Sequence, residues 1–389
     1  MASSIKRMAE RMRAEECLVR IVRSVLEPNE ACCEIEISDW DRLMALAKKN
    51  SIFPYVYRYI KQLPEEKKPS ADRMAYIEQL DAMDLQTAVL QDFAIDTIRE
   101  GLEEKGIDHL FFKGSVTKDR YPDRFLRTMG DIDFLYRDGQ HEALCEQMTA
   151  IGFERKSVGR VHDVYTNASA IHIEAHRRLM SPHSPYFAYW KEIWGRVTLR
   201  VGRKHEYVMT LEDEFLFNFI HLSSHFKRGG IGIRFVADMW IYKQLDLDRT
   251  YIEEQLKELK LLSFFHILDA LAEKWFGIDC EKNSLVDEVE AYILSGGTFG
   301  NREHRTNASV RDGRLRYFFK VCFPSYEDMQ SMFPSLKSRA MLPFAWIRRI
   351  AESAVNRRGN VKVLMNPMQN SDKNSAAAIK DFFVRCGLE

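Results

Sequence analysis

The chain reads as an α+β protein, a small mixed β-sheet flanked by helical regions, and three observations point there. Apolar residues recur at helical spacing through the first hundred positions and again after residue 210. Between 107 and 210 the period shortens to two, as in half-buried strands. Gly106, a good C-cap for the long helical run before it, stands where the period changes. The expected organisation is a helical N-terminal region at 1–106, an α/β core at 107–210 and a helical C-terminal domain at 211–389. A length of 389 residues fits two or three domains at roughly 100–200 residues each.

In chain order, 39–63 carries Trp40, Leu43, Leu46 and Ala47 on one helical face, with Ser38 as N-cap and a break near Phe53 imposed by Pro54. A polar linker at 64–70 precedes 71–105, one long helix or two end to end, where Leu90, Ala94, Ile98 and Leu102 recur every four residues. Then follow a strand at 108–113, a short helix at 115–120, a loop around Pro122, a strand at 131–136 and a helix at 139–150. Further strands fall at 153–158, 161–167 and 170–176, and 196–201 with 205–209 reads as a hairpin over Gly202. Helices resume at 212–226, where Phe215, Phe219, Leu222 and Phe226 repeat, and later around Ile241 and at 256–275, 286–294 and 343–356. Glycines and polar residues at 296–312 predict a mobile connection, and a polar stretch at 368–375 precedes a last helix ending near Arg385.

Composition excludes more than it selects. The 57 basic residues cancel the 57 acidic ones, so bulk charge draws the chain to neither nucleic acid nor a membrane surface. No apolar run approaches the roughly 18 residues of a membrane span, and positions 1–13 lack an apolar signal core. The seven cysteines show no metal-type pairing beyond the adjacent Cys32 and Cys33, which stand too close for an ordinary zinc knuckle. A soluble cytoplasmic protein with free thiols is the expectation, under which the sequons at Asn167 and Asn307 are chance matches.

The run Met129-Gly130-Asp131-Ile132-Asp133-Phe134-Leu135 carries the chemistry. Residues two apart on a strand share a face, so Asp131 and Asp133 project together while Ile132 and Phe134 turn into a core. Two carboxylates so placed invite a hard divalent cation such as Mg²⁺, which takes oxygen ligands and leaves positions open for substrate phosphates. Upstream, Gly114-Ser115 closes the apolar segment Leu110-Phe111-Phe112-Lys113. A glycine there lets backbone amides approach a phosphate closely, and a serine hydroxyl can bond it. A third acid is needed to complete the metal site or to serve as base, and Glu174 is the choice. Alternation in Ile171-His172-Ile173-Glu174-Ala175-His176 puts His172, Glu174 and His176 on the open face.

With these residues in view, the chain resembles the uncharacterised nucleotidyltransferase family of the polymerase-beta-like superfamily. The pattern is an apolar strand ending in Lys-Gly-Ser, an Arg shortly before Met-Gly-Asp-Ile-Asp, and a later acid followed by His. The likeness is most specific over 111–178; it extends to the N-terminal helices, to His221-Leu222-Ser223-Ser224-His225 with Asp238 downstream, and to Phe323-Pro324-Ser325-Tyr326 and Leu342-Pro343-Phe344-Ala345-Trp346-Ile347. It implies that Gly114 and Ser115 hold a nucleoside triphosphate, that Asp131 and Asp133 bind metal, and that Glu174 is the third carboxylate. Such sequences usually carry Asp at that last position, and the interval from Ser115 to Asp131 is slightly long for the superfamily. The activity implied is transfer of a nucleoside monophosphate from an NTP to an acceptor hydroxyl, with release of pyrophosphate. The cofactor implied is two Mg²⁺ ions, with Mn²⁺ as substitute, and the acceptor is a small molecule, a protein or RNA, without membrane or DNA contact.

Each assignment has a competitor. Gly114-Ser115 is also a tight turn with a helix N-cap, a role compatible with phosphate binding. Lys113 either contacts phosphate or points outward, and Arg127 either anchors a phosphate through its planar fork or pairs with Asp123. His221 and His225, one helical turn apart, have the spacing of a metal pair, but Leu222 stands where a zinc protease carries its catalytic Glu. A structural or nucleotide-contacting histidine is the better reading, with His225 and nearby Lys227 favoured. The doublets Arg177-Arg178 and Arg348-Arg349 read as solvated surface. Two other functions stay open: metal-dependent phosphoester hydrolysis through Asp131, Asp133, His172, Glu174 and His176, and a noncatalytic nucleotide-binding or interaction module.

Overall fold

The computed structural model describes residues 2–28, 35–159, 161–277, 283–298, 300, 323–326, 329, 333, 336, 338–356 and 373–388. Cys32, Cys33, Asn307 and most of the 296–312 and 368–375 stretches lie outside them. The fold is α+β, as the two periods in the sequence predict.

Three N-terminal helices, α1 (Ala2–Leu26), α2 (Trp40–Lys49) and α3 (Phe53–Gln62), pack on one another through Leu18, Ile21, Val22, Leu43, Val56 and Ile60. Pro54 sits at the start of α3, where a missing amide costs nothing, so the break falls where expected. The N-cap of α2 is Asp39 rather than Ser38: its carboxylate accepts from the Arg42 amide at 3.0 Å, closing the first turn. The polar linker leads into α4 (Ala71–Lys105), one continuous helix of 35 residues. It stops at Gly106, whose φ of +74° only glycine adopts at little cost and whose amide bonds Leu102 and Glu103 carbonyls.

The core sheet is built from β1 (His109–Phe112), β2 (Ile132–Tyr136), β3 (Glu154–Val158), β4 (His162–Thr166) and β5 (His172–His176), in the spatial order β1-β2-β5-β4-β3. Strands β2 and β5 run parallel and the other neighbours antiparallel. After β1 come the one-turn helix α5 (Gly114–Thr117) and 3₁₀ turns, and after β2 comes α6 (His141–Ala150). Ile132, Phe134, Tyr136, Tyr165, Ile173 and Ala175 cover one face and pack on Ala94, Ile95, Ile98 and Leu102 of α4 and Leu144 and Met148 of α6. The opposite face offers Leu110, Phe112 and Leu135 to a second, larger core.

Beyond the short helix α7 (Phe187–Trp190), the hairpin over Gly202 is narrower than the sequence suggests: β6 (Thr198–Leu199) and β7 (Tyr207–Val208) pair over two residues each. Then follow α8 (Leu211–Arg228), α9 (Ile233–Lys243), α10 (Arg249–Glu258), α11 (Leu262–Phe276) and α12 (Ser284–Leu294). The 256–275 segment divides at Lys260, where a φ of +57° ends α10. Helices α13 (Leu342–Asn356) and α14 (Lys373–Arg385) complete the described chain, and Phe382 and Phe383 of α14 pack on Phe226 and Tyr292. The large core runs from α1–α3 through the sheet's second face to α8–α12, so Phe112 of β1 meets Phe217 of α8 edge-on at 5.1 Å between ring centroids. No described helix is long and apolar enough to cross a membrane.

His109, which meets Phe111 on the other face of β1, gives the sheet an acid sensitivity. It is fully buried, its Nδ1 bonds the Ile107 carbonyl at 2.9 Å and its Nε2 has no hydrogen-bond partner. Burial lowers its pKa from 6.5, against the opposing pull of Glu206 and Glu103 and aided by Arg99. Below pH 6.5 the unfolded chain therefore takes a proton that the folded chain refuses, and stability falls as pH drops toward the folded pKa. Urea midpoints measured from about pH 7 to about pH 5 should decline, and His109→Gln should flatten the decline by at most about 1.4 kcal/mol per pH unit.

Candidate active site

The site begins where β1 ends. Lys113 has φ +55° and ψ −136°, a sparsely populated conformation that costs a non-glycine residue about 1–3 kcal/mol and is held only where the surroundings demand it. The turn it makes delivers Gly114 as the first residue of α5. A Cβ on Gly114 would stand 3.0 Å from Met129 Cγ, so the glycine lets the loop before Asp131 approach the strand end. Ser115 is buried behind it, and its Oγ has no hydrogen-bond partner.

Strands β1, β2 and β5 bring the acids together. Asp133 lies opposite Phe112 on one side and Glu174 on the other, so the two carboxylates rise side by side from adjacent parallel strands. Asp131 stands one residue before β2 and is exposed. Lys113 Nζ reaches 2.7 Å from Asp133 Oδ1 and 3.9 Å from Glu174 Oε2. His176 Nε2 donates to the same Asp133 oxygen at 3.0 Å and stands 3.2 Å from Glu174 Oε2. His176 shares the face of Glu174, as the alternation requires, but it is buried at 4% exposure under the edge of Phe112 rather than open to solvent. His172 is exposed.

Charge is unevenly matched here. Partial desolvation by the surrounding protein, despite the exposure of the residue, and the carboxylates of Glu174 and Asp133 raise the Asp131 carboxyl above its usual value, against Lys113 and His172. Burial also works against ionised Asp133, yet Lys113 and His176 outweigh it and hold that carboxyl well below the usual carboxylate range. Asp131, Asp133 and Glu174 offer hard oxygen donors with crowded negative charge, so their donor chemistry fits Mg²⁺ or Mn²⁺, while the three do not bring one ligand atom each within 4.8 Å of one another. Nitrogen donors adjoin them: one atom each from His162, Glu174 and His176 lies within 4.8 Å of the others.

The acids open into a cavity of about 490 Å³ whose far wall is helical. From α8 come Phe215, Phe219, His221 and His225, and from α9 come Arg234, Phe235, Asp238, Met239 and Tyr242. His221 and His225 meet Nε2 to Nε2 at 3.1 Å, and burial, with Lys113 and His225 nearby, holds His221 well below the usual histidine pKa. Lys227, grouped with His225 on sequence grounds, is not part of the cavity wall. Arg127 lines the cavity, but its fork is taken by Asp238, with Nε to Oδ1 at 2.6 Å and Nη2 to Oδ2 at 2.8 Å. The pairing of Arg127 with Asp123 does not form, because Arg58 from α3 takes Asp123 at 2.9 and 3.1 Å.

Two residues escaped the sequence reading, one beside the acids and one on the cavity wall. His162 lies opposite His176 across β4 and β5, its Nε2 3.5 Å from Glu174 Oε1, and only the register of two antiparallel strands could reveal it. Arg234 interrupts the apolar run Ile233-Arg234-Phe235-Val236-Ala237 four residues before Asp238, the spacing of a helical ion pair. Asp238 is instead engaged by Arg127 and by the Tyr121 hydroxyl at 2.7 Å.

Comparison with known proteins agrees with this geometry. No curated protein and no solved structure matches the chain. The model of a family described as uncharacterised nucleotidyltransferase matches residues 36–277, which span α2 to the end of α11 and include every residue of the cavity wall. The chain belongs to the uncharacterised nucleotidyltransferase family.

Proposed function

We propose that the protein transfers a nucleoside monophosphate from an NTP to an acceptor hydroxyl and releases pyrophosphate, in a metal-dependent reaction. The observation that carries this reading is the register of Asp133 with Glu174 on adjacent parallel strands, two positions from Asp131 and on the same cavity wall as Lys113 and Gly114. Asp131, Asp133 and Glu174 would hold Mg²⁺, which when bound neutralises charge on the triphosphate and on the attacking and leaving oxygens. The Gly114 backbone at the start of α5, on the cavity wall, receives a phosphate, and the Ser115 hydroxyl, buried behind it without a partner, would have to turn toward the cavity to join it. Lys113 and His176 keep Asp133 ionised and oriented, and Glu174 accepts the proton of the attacking hydroxyl. Arg127, fixed by Asp238, braces the loop that carries Asp131, and its Nη1 bonds the Thr128 carbonyl at 2.5 Å. His225 and the phenyl rings of Phe219 and Phe235 give the base a flat wall, with Lys227 close by in sequence.

The test is NTP binding as a function of Mg²⁺. Calorimetry should show tight binding only with the cation, and Asp131→Ala should weaken it at least tenfold; undiminished metal-dependent binding in that variant contradicts the reading. The grouping of His162, Glu174 and His176 favours one alternative, phosphoester hydrolysis on a softer metal such as Zn²⁺. Inorganic phosphate as product, with Zn²⁺ preferred to Mg²⁺, would identify it.

A further inference from the structure

The cavity holds a cation that the proposed chemistry above does not use. Arg234 is 8% exposed, lines the cavity, and among the described residues forms no salt bridge. Its Nη1 donates to the Thr128 carbonyl at 3.1 Å, and its Nε has no hydrogen-bond partner. Arg127 donates to the same carbonyl, so two guanidinium groups converge on one peptide oxygen just before Met129-Gly130-Asp131. The nearby carboxylate of Asp238 spends both oxygens on Arg127 and one also on Tyr121. That corner of the cavity therefore carries one positive charge more than its own acids balance. Burial and the Arg127 charge push the Arg234 pKa down to about 9, against the pull of Asp238, in keeping with the missing partner at Nε.

A buried, unmatched guanidinium is costly to the fold, and an anion that docks on it recovers that cost. The same cavity is lined by Asp131, Asp133 and Glu174, which repel a lone carboxylate, so the anion needs more than one charge and a second point of attachment. A polyphosphate chain whose other end lies at Gly114-Ser115 answers both requirements, because a planar fork takes two phosphate oxygens at once.

We propose that Arg234 is the helical-domain anchor of a polyphosphate subsite, binding the phosphate chain of the donor from α9 while the α5 end holds it from the sheet. This rests on the nucleotide reading given above and adds a residue that positions the donor between the two halves of the molecule. Binding of substrate then ties α9 to α5 through one bridging anion.

The experiment compares wild type, Arg234→Gln and Arg234→Lys in calorimetric titrations with an NTP, inorganic triphosphate and the matching nucleoside, together with thermal unfolding of each variant. Arg234→Gln should weaken NTP and triphosphate at least tenfold, leave the nucleoside unchanged, and unfold no lower than wild type because a desolvated charge has been removed. Arg234→Lys should recover part of the triphosphate affinity. Equal NTP affinity in wild type and Arg234→Gln overturns the assignment while leaving the nucleotide reading intact. An Arg234→Gln protein that loses nucleoside and triphosphate affinity alike and unfolds at lower temperature shows a structural role and also overturns it. Wild type that binds neither NTP nor triphosphate overturns the nucleotide reading and the assignment with it.

Discussion

Asp133→Asn should reduce nucleotidyl transfer by about 10³-fold or more while leaving the protein folded, because the substitution keeps the shape of the side chain and removes its charge. Asp133 is the acid that both Lys113, at 2.7 Å, and His176, at 3.0 Å, hydrogen-bond. An asparagine oxygen can still accept from Lys113, so the buried lysine keeps a partner and the strained turn at Lys113 keeps its tether. Asp133→Ala removes both, stranding a part-buried cation beside an imidazole at 4% exposure, and should cost about 3 kcal/mol of folding free energy in addition to the lost activity. Urea unfolding and transfer assays on the two variants separate chemistry from scaffold: both lose activity, and only the alanine loses stability.

Asp238→Leu is the substitution expected to damage the fold most. It leaves Arg127 and Arg234, both 8% exposed, side by side without the carboxylate between them, and breaking a buried pair in this way costs about 3–5 kcal/mol. The Tyr121 hydroxyl loses its acceptor in the same step. Adding Arg127→Met should recover most of the loss, since an apolar pair of similar volume replaces a buried ion pair at little or no net cost. Urea midpoints of the two single variants and the double variant give the coupling directly. A purely additive double variant would mean that Arg127 and Asp238 do not depend on each other.

The local physics of the chain explains which of these features sequence reading reaches. Asp131, Asp133 and Glu174 were legible because strand alternation assigns a face to each residue, and Ile132, Phe134 and Ile173 anchor that assignment from the opposite side. Gly106 and Pro54 were legible for a similar reason, since each imposes a backbone geometry that other residues adopt only at a cost. The partner of Arg127 was not. An acid four positions away in sequence, Asp123, was the natural candidate, and the true partner is 111 positions away on α9, reached only when the helical region folds back on the sheet. His176 shows the same limit: alternation gives its face correctly, but its burial comes from Phe112 on a strand it does not touch in the ladder. Arg234 combines both failures, as helical spacing offers it Asp238 and tertiary structure gives that acid to Arg127.

The central claim, that Asp131, Asp133 and Glu174 form a nucleotidyl-transfer centre, is tested most directly by following two labels in one reaction. Purified protein is incubated with Mg²⁺, cell extract and an NTP labelled on the α-phosphate or, in parallel, on the γ-phosphate. The account predicts that the α-label becomes attached to an acceptor, that the γ-label leaves as pyrophosphate, and that both fates disappear in Asp131→Ala and Asp133→Asn. Release of the γ-label as inorganic phosphate without transfer of the α-label, or transfer that survives in either variant, would contradict it.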